Sequence, residues 1–254
     1  IKFNPIPTIR TPKVQKQKKK PTISPEQQQE LIQIMLSEEN GLCYIFILNT
    51  GVRPGENSGM KWRNYSYEDS NVKVRDNYGK ITYYNEDLEK IKSTFEEKDL
   101  KTPSSYRTIP LQRWLNEIMY EYMLLVMKQK GYTKKEQLND EYIFVNSLGN
   151  ALSSDYLWET LNKILKRHNF QHLSVYQLRH LFATRCIDVN IPINQVQQYL
   201  GHALASTTMD YYVGYDEETN KSEIEKLEQI NNIQIVPKIL KGMEPIMSIA
   251  QKVV

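Results

Sequence analysis

The sequence contains few of the residues that form disulfides or hold metals. It has two cysteines, Cys43 and Cys186, which lie far apart in apolar segments of helical pattern. Such cysteines are most often buried, reduced thiols. The four histidines show no metal-ligand spacing with them. We therefore expect neither a disulfide nor a bound metal.

Long hydrophobic runs are also absent. No stretch approaches the roughly 18 apolar residues that a membrane-spanning helix needs. The first residues, 1–3, show neither an initiator methionine nor a signal-peptide pattern. We expect a cytoplasmic bacterial protein without a membrane partner, and a chain whose upstream part has been removed. Its 40% hydrophobic and 25% charged residues are ordinary for a chain that buries a core.

The net charge of +3 hides an uneven distribution. Seven of the 33 Lys and Arg residues lie in the first 20 positions, where no acidic residue occurs. Several prolines and the absence of apolar periodicity predict that residues 1–21 form an extended basic linker, the end of an upstream DNA-binding domain. Composition alone leaves two roles open. The segment is either a solvated linker or an arm along DNA phosphates, with Lys18, Lys19 and Lys20 as candidate contacts.

Two helices are predicted directly after the linker. Ser24 is a good N-cap, Pro25 suits the first helical position, and Gln27 completes a capping box. A second apolar helix is expected over residues 42–49.

A small antiparallel sheet of about three strands is expected within residues 70–111. Val72 and Val74 alternate with polar residues, and the sequence Asn-Tyr-Gly at 77–79 is typical of a turn. Residues 81–84 and 100–111 supply the other candidate strands.

Helical periodicity returns after residue 111. Apolar stripes predict four further helices. The first stripe consists of Trp114, Leu115, Ile118, Met119 and Tyr122, and the second of Leu157, Leu161, Ile164 and Leu165. The other two helices are predicted over residues 176–187 and 193–200. The expected fold class is therefore α+β and mainly α-helical, with the sheet at one edge. The tail, residues 216–254, carries an amphipathic stripe around Ile224, Leu227 and Ile230. This stripe is either a packed terminal helix or a surface that docks on a neighbouring subunit.

Five short segments contain residue types suited to phosphate chemistry, and they occur in a fixed order. They are the turn T-G-V-R-P-G-E at 50–56, Lys101-Thr102 followed by R-T-I-P-L at 107–111, Y-Q-L-R-H at 176–180, Leu200-Gly201-His202, and S-T-T-M-D-Y at 206–211. Each segment alone is weak evidence. Together, with a nine-residue step from His202 to Tyr211, they form a specific pattern.

This ordered set resembles the tyrosine recombinase (lambda-integrase) family over about residues 22–215. The resemblance implies a catalytic domain at 22–215 whose active-site residues are Arg53, Lys101, Tyr176, Arg179, His202 and Tyr211. The family usually has histidine where this chain has Tyr176. A phenol can donate a hydrogen bond to a phosphate oxygen but is not a base near neutral pH, so general-base help from this position is in doubt.

The implied chemistry needs these residue types. Arginines Arg53 and Arg179 grip the non-bridging oxygens of a phosphodiester, together with His202. Tyr211 is the nucleophile, and the resemblance assigns protonation of the departing 5′ oxygen to Lys101. The phosphotyrosine conserves the energy of the broken bond, so no ATP, metal or other cofactor is expected.

Supporting roles are expected for three further residues. Glu56 supports Arg53 or His202, His180 makes a structural hydrogen bond, and Arg107 is a candidate phosphate contact.

Ordinary structural roles compete with these assignments. Arg53 can pair with Glu56 or cap a helix, and Arg179 in isolation would be taken for a helix-surface residue. His202 after a glycine suits a helix C-terminus. Neighbouring residues compete for two of the positions: Lys98 for that of Lys101, and Tyr212 or Tyr215 for that of Tyr211.

The expected function is integration or excision of a mobile element by strand cleavage and rejoining. The alternatives are a housekeeping chromosome-dimer resolvase, a type IB topoisomerase-like enzyme, and a catalytically inactive DNA-binding module. The implied partners are double-stranded DNA and further copies of the chain, as a tetramer on two DNA sites with exchanged tails. An accessory DNA-bending or directionality protein is left open as a partner.

Overall fold

The computed structural model describes residues 23–100, 105–201 and 227, and within them the fold is α+β and mainly helical, as predicted. The helices are α1 (Pro25–Leu36), α2 (Gly41–Thr50), α3 (Pro54–Ser58), α4 (Arg113–Lys130), α5 (Ser154–Arg167), α6 (Val175–Asp188) and α7 (Ile193–Leu200). The strands are β1 (Tyr65–Ser66), β2 (Asn71–Val74), β3 (Asn77–Tyr84), β4 (Lys90–Lys98) and β5 (Arg107–Pro110). Short 3-10 helices lie at Trp62–Asn64 and Lys135–Leu138.

The start of α1 confirms the predicted capping box. The Ser24 hydroxyl accepts a hydrogen bond from the backbone N–H of Gln27 at 3.2 Å. The Gln27 side chain accepts one from the backbone N–H of Ser24 at 3.0 Å. Two N–H groups that a helix start leaves without partners are thereby satisfied.

Helix α2 lies at the centre of the core. All ten of its residues are buried, and it packs against α1 and α6. Its sequence is apolar on every side, as expected of a helix surrounded by protein. Cys43 on α2 and Cys186 on α6 are both buried free cysteines, as their apolar neighbourhoods predicted.

The strands form two sheets rather than the single sheet that the sequence suggested. In the three-stranded sheet, β2 lies between β1 and β5 in antiparallel register, with Val72 opposite Ile109 and Val74 opposite Arg107. Val72, Val74 and Ile109 are fully buried, as their alternation with polar residues predicted.

Strands β3 and β4 form a separate two-stranded hairpin, and here the predicted turn at 77–79 was wrong. Asn77 begins β3, which pairs with β4 from Asn77 opposite Lys98 onward. Pairing with β4 keeps residues 77–79 extended, and the backbone of Asn77 packs on Gly59, where an added Cβ would meet it at 2.8 Å. The chain reverses later, where Asn85 and Glu89 are hydrogen-bonded through their backbones.

The later helices bury the stripes that the sequence predicted. Trp114, Leu115, Ile118 and Met119 of α4 face the core. The buried residues of α5 are Leu157, Leu161, Ile164 and Leu165. In the tail, Leu227 is 3% exposed and belongs to the same core. Among the helices in the described ranges, none combines the length and the hydropathy that crossing a bilayer requires.

Candidate active site

The turn between α2 and α3 places Arg53 and Glu56 side by side. Gly51 ends α2 with φ of 66°, and a Cβ there would lie 2.4 Å from Phe182 of α6, so the position requires glycine. Arg53 precedes α3, and Pro54 opens that helix. The Glu56 carboxylate then accepts from the backbone N–H of Arg53 at 2.8 Å and from its Nη1 at 2.7 Å.

Arg107 on β5 reaches the same carboxylate. Its Nη1 and Nη2 donate to the two oxygens of Glu56 at 3.1 and 2.8 Å, and both side chains are buried. Burial opposes ionisation of Glu56. The hydrogen bonds and charges of Arg107, and then those of Arg53, outweigh it and hold the pKa of Glu56 below its ordinary value. Glu56 is therefore an anion at neutral pH.

Arg179 enters the site from the second turn of α6. Ser174 caps this helix and forms a capping box with Gln177, which fixes the start of the helix and the direction of its side chains. The Arg179 Nη1 donates to the carbonyl of Gly51 at 2.6 Å and lies 4.0 Å from Glu56. Burial and the Arg53 charge lower the pKa of Arg179 to about 10, which leaves it charged at neutral pH.

The end of α7 joins the three arginines. Three consecutive carbonyl groups each accept one guanidinium: Tyr199 from Arg107 Nε at 2.6 Å, Leu200 from Arg179 Nη2 at 2.6 Å, and Gly201 from Arg53 Nη2 at 2.8 Å. The last carbonyls of a helix have no partner within it and form the negative end of its dipole, so cations are favoured there. The next residue along the chain is His202.

These contacts concentrate positive charge around one buried carboxylate. Each guanidinium has five N–H donors, and the bonds above use two of those of Arg53 and two of those of Arg179. The Arg53 side chain is 34% exposed, so the cluster opens to solvent on that side. Such an arrangement can bind an anionic oxygen group by charge-assisted hydrogen bonds.

The structure brings Arg53, Glu56 and Arg179 together, as the motif order suggested. Tyr176 lies one helical turn before Arg179 on α6 and is 66% exposed, and the His180 side chain is also exposed. The remaining predicted site residues, Lys18, Lys19, Lys20, Lys101, His202 and Tyr211, lie outside the described residues.

The contacts of Arg107 are the feature that sequence reasoning missed. The sequence suggested a phosphate contact, whereas the structure places its side chain, 6% exposed, against Glu56 and the end of α7. The alternation of β5 carries the signal, since Arg107 shares a strand face with Ile109, which is fully buried. An inward-facing arginine needs a buried acceptor, and Glu56 is that acceptor.

Comparison with known proteins identifies the family. The phage integrase family matches residues 21–218. The chain belongs to this family. The resemblance indicated by the five ordered motifs is therefore confirmed.

The relatives of this chain include proteins that are named tyrosine recombinases. It is 26% identical over 212 residues to a XerC-like tyrosine recombinase of Caldanaerobacter subterraneus subsp. tengcongensis, covering 82% of this chain and 54% of the relative. It is 34% identical over 106 residues to the tyrosine recombinase XerD of Halalkalibacterium halodurans, covering 41% of this chain and 34% of the relative. The chain thus spans about half, or less, of these relatives.

Solved structures of an integrase and a recombinase share the fold of this chain. The Tn1549 transposon integrase in complex with circular intermediate DNA matches with a TM-score of 0.60 and 17% identity, over 84% of this chain and 68% of that one. The XerA recombinase matches with a TM-score of 0.54 and 18% identity, over 89% and 64% of the two chains. Both likenesses concern the whole arrangement of helices and strands.

Proposed function

We propose that the chain is the catalytic part of a tyrosine-type site-specific DNA recombinase that cleaves and rejoins DNA through a 3′-phosphotyrosine at Tyr211. The observation that carries the proposal is the guanidinium cluster of Arg53 and Arg179 around the end of α7. It lies in a chain of the phage integrase family whose named relatives are tyrosine recombinases. The cluster supplies fixed positive charge, which the transition state of phosphoryl transfer needs.

The proposed reaction begins with the scissile phosphate bound by the exposed side of Arg53 and by Arg179. Both arginines are already oriented by Glu56 and by backbone carbonyls, so little reorganisation is needed when the phosphate arrives. The Tyr211 oxygen attacks phosphorus, the phenol proton passes to solvent water, and the bond to the 5′ oxygen breaks. Lys101 protonates that oxygen, and His202 adds a hydrogen bond to the phosphate.

Tyr176 has a narrower role in this scheme. It is exposed on the same helix as Arg179, one turn earlier, and its hydroxyl can donate to a phosphate oxygen. The proposal therefore uses Tyr176 to position the phosphate and assigns it no general-base function.

The proposed domain organisation follows the motifs. Residues 1–21 form the basic linker, with Lys18, Lys19 and Lys20 along DNA phosphates, residues 22–215 the catalytic domain, and residues 216–254 the tail. The family match over residues 21–218 supports this division. We further propose a tetramer on two DNA sites, acting on the bacterial chromosome in the cytoplasm, with an accessory DNA-bending or directionality protein as an additional partner.

Tail exchange is proposed for the assembly. Leu227 lies buried beside Leu48 and Phe182 of its own chain. The proposal is that a neighbouring protomer's tail makes the same contact in the tetramer.

Two biological settings remain candidates. Integration or excision of a mobile element is favoured by the 43 residues that follow Tyr211 and by the fold shared with the Tn1549 transposon integrase. A chromosome-dimer resolvase is favoured by the XerC-like relative, which matches over 82% of this chain. Recombination between supercoiled plasmid sites from each setting distinguishes them. Relaxation of a plasmid without such sites would instead indicate a type IB topoisomerase-like activity.

The proposal predicts a covalent DNA adduct at one residue. A duplex selected for binding from a randomised library is prepared with bridging 5′-phosphorothiolates, whose thiol leaving group prevents resealing. We expect the wild-type chain to form a denaturant-resistant adduct that peptide mapping assigns to Tyr211, and Tyr211→Phe to form none.

The neighbouring Tyr212→Phe is the matched control, because it removes the same hydroxyl one position away. An adduct that persists in Tyr211→Phe and disappears in Tyr212→Phe would show that Tyr212, and not Tyr211, is the nucleophile. DNA binding without any adduct in the wild-type chain would instead indicate the catalytically inactive module.

A further inference from the structure

Arg107 is a buried cation that the proposed chemistry does not use. It lies on β5 opposite Val74 of β2, on the strand face that Ile109 buries in the core. Its side chain is 6% exposed, whereas that of Arg53 is 34% exposed. An arginine in this position is not presented to a DNA backbone in the way that Arg53 is. These contacts favour an internal role over the phosphate contact expected from the sequence.

The guanidinium of Arg107 joins three separate segments of the chain. Nη1 and Nη2 hold both oxygens of Glu56 on α3, and Nη1 also donates to the carbonyl of Ser105 at 3.0 Å. Nε donates to the carbonyl of Tyr199 on α7 at 2.6 Å. A planar fork with fixed donor directions can make these bonds simultaneously, and a lysine ammonium cannot reproduce that geometry.

Close packing reinforces the hydrogen bonds. Gly201 ends α7 with φ of 62°, and a Cβ there would lie 2.9 Å from Nη1 of Arg107. The guanidinium therefore packs closely against the backbone at the end of α7. A side chain at position 201 would displace it.

Removing Arg107 would change the surroundings of both other arginines. Glu56 bonds Arg53 at 2.7 Å and lies 4.0 Å from Arg179. A buried carboxylate that loses its bidentate partner draws the nearest remaining cations toward it. Arg53 and Arg179 would then turn further toward Glu56 and away from a bound phosphate.

We propose that Arg107 is a positioning residue of the cleavage site: it sets the distance between the Glu56 carboxylate and the end of α7, and thereby orients Arg53 and Arg179. This inference rests on the proposed recombinase function. It assigns Arg107 no contact with DNA.

The test compares Arg107→Gln and Arg107→Lys with Arg63→Gln in the full 254-residue chain. Arg63 is the matched control, because it also joins two carboxylates from separate segments, Asp76 at 2.8 Å and Asp140 at 2.5 Å. DNA affinity is measured by fluorescence anisotropy. The single-turnover rate of adduct formation is measured at saturating phosphorothiolate DNA, at a temperature at which all variants are folded.

We expect Arg107→Gln to lower the single-turnover rate on the order of 100-fold, as displacement of catalytic groups by about 1 Å does. DNA affinity should change little. Arg107→Lys keeps the charge without the fork and should lie between Arg107→Gln and the wild type. The acid limb of the pH–rate profile should move to higher pH in Arg107→Gln, because Glu56 then protonates more easily. Arg63→Gln should keep both the wild-type rate and the wild-type profile.

Two results would overturn the inference. One is an unchanged rate in Arg107→Gln; the other is weakened DNA binding with a normal rate at saturation, which describes a direct phosphate contact. If the wild-type chain forms no adduct, the recombinase proposal fails, and hydrogen exchange decides the role of Arg107 separately. The amides of α7 should then exchange faster in Arg107→Gln than in Arg63→Gln, and equal exchange would refute the positioning role.

Discussion

At the scale of single residues, one carboxylate organises the candidate site. Glu56 is 2% exposed, bonds Arg53 and Arg107, and lies 4.0 Å from Arg179. Three arginines this close would repel one another if the carboxylate were absent. A buried ion pair contributes little net stability relative to an apolar replacement, yet removing one partner alone is costly. The main effect of Glu56 is therefore to hold the three arginines in fixed positions.

The titration of Glu56 gives a stability prediction with a defined sign. Its folded pKa is below the ordinary 4.5, so its contribution is complete at neutral pH and is lost as the pH falls through the folded value. Glu56→Gln should lower the free energy of unfolding by about 3–5 kcal/mol at neutral pH. The difference from the wild type should shrink below about pH 4.5.

Urea unfolding midpoints between neutral pH and about pH 3 measure this difference. Glu117→Gln is the control, because Glu117 pairs with the exposed Arg113 one turn earlier on α4, a kind of surface pair that contributes about 0.3–0.5 kcal/mol. A difference between Glu56→Gln and the wild type that stayed constant throughout this pH range would contradict the assignment.

At the scale of elements, the end of α7 is where the site is assembled. The last two residues of α7 and its C-cap, Gly201, present three consecutive carbonyls to three arginines that come from the α2–α3 turn, β5 and α6. Gly201 adopts the left-handed conformation that commonly ends a helix. The same glycine leaves room for Arg107.

Substitutions at two glycines can distinguish the effect of backbone strain from the effect of packing against Arg107. Gly131 ends α4 with φ of 68° and has open space where a Cβ would lie, whereas Gly201 has φ of 62° and lies against Arg107. Both Gly131→Ala and Gly201→Ala should cost about 1 kcal/mol of stability for the left-handed backbone. Only Gly201→Ala should also lower the rate of adduct formation, because its methyl group displaces the guanidinium.

Thermal unfolding and single-turnover cleavage of the two variants provide the comparison. Equal cleavage rates in Gly131→Ala and Gly201→Ala would mean that the contact between Gly201 and Arg107 does not matter for the site.

At the scale of the whole molecule, the tail contributes to the core of the helical domain. Leu227 is 3% exposed beside Leu48 of α2 and Phe182 of α6, two helices that also frame the site through Gly51 and Arg179. The tail therefore stabilises the helical domain through an apolar contact within its own chain. A tail that exchanged between protomers would have to give up this contact within its own chain.

The burial of Leu227 gives a direct stability prediction. Leu227→Ala should lower the free energy of unfolding by about 2–5 kcal/mol, the usual cost of removing a buried leucine side chain. Leu148→Ala makes the same change at a side chain that is 78% exposed and should leave stability nearly unchanged. Chemical denaturation of both variants measures the difference, and equal midpoints would show that the tail does not stabilise the core.

Local patterns in the sequence predicted most of the elements and part of the site. The capping box at Ser24, the buried stripe of α5 and the strand at Val72 each depend on residues within a turn or two, so a short window contains the necessary information. The order of their motifs predicted Arg53 and Arg179 as site residues, and the structure places both at the end of α7. The turn predicted at 77–79 was wrong because antiparallel pairing of these residues with β4 overrides the local preference for reversal.

Most of the helices, the family and the candidate arginines could thus be predicted from residue spacing, because short-range patterns carry that information. What those arginines bind depends on contacts between distant parts of the chain. Arg107 meets Glu56 across 51 residues and Tyr199 across 92, and Arg53 meets Gly201 across 148. Such contacts arise from the packing of whole helices around α2. This packing buries Arg107, which the sequence suggested would be a surface cation, and pairs it with the buried carboxylate of Glu56.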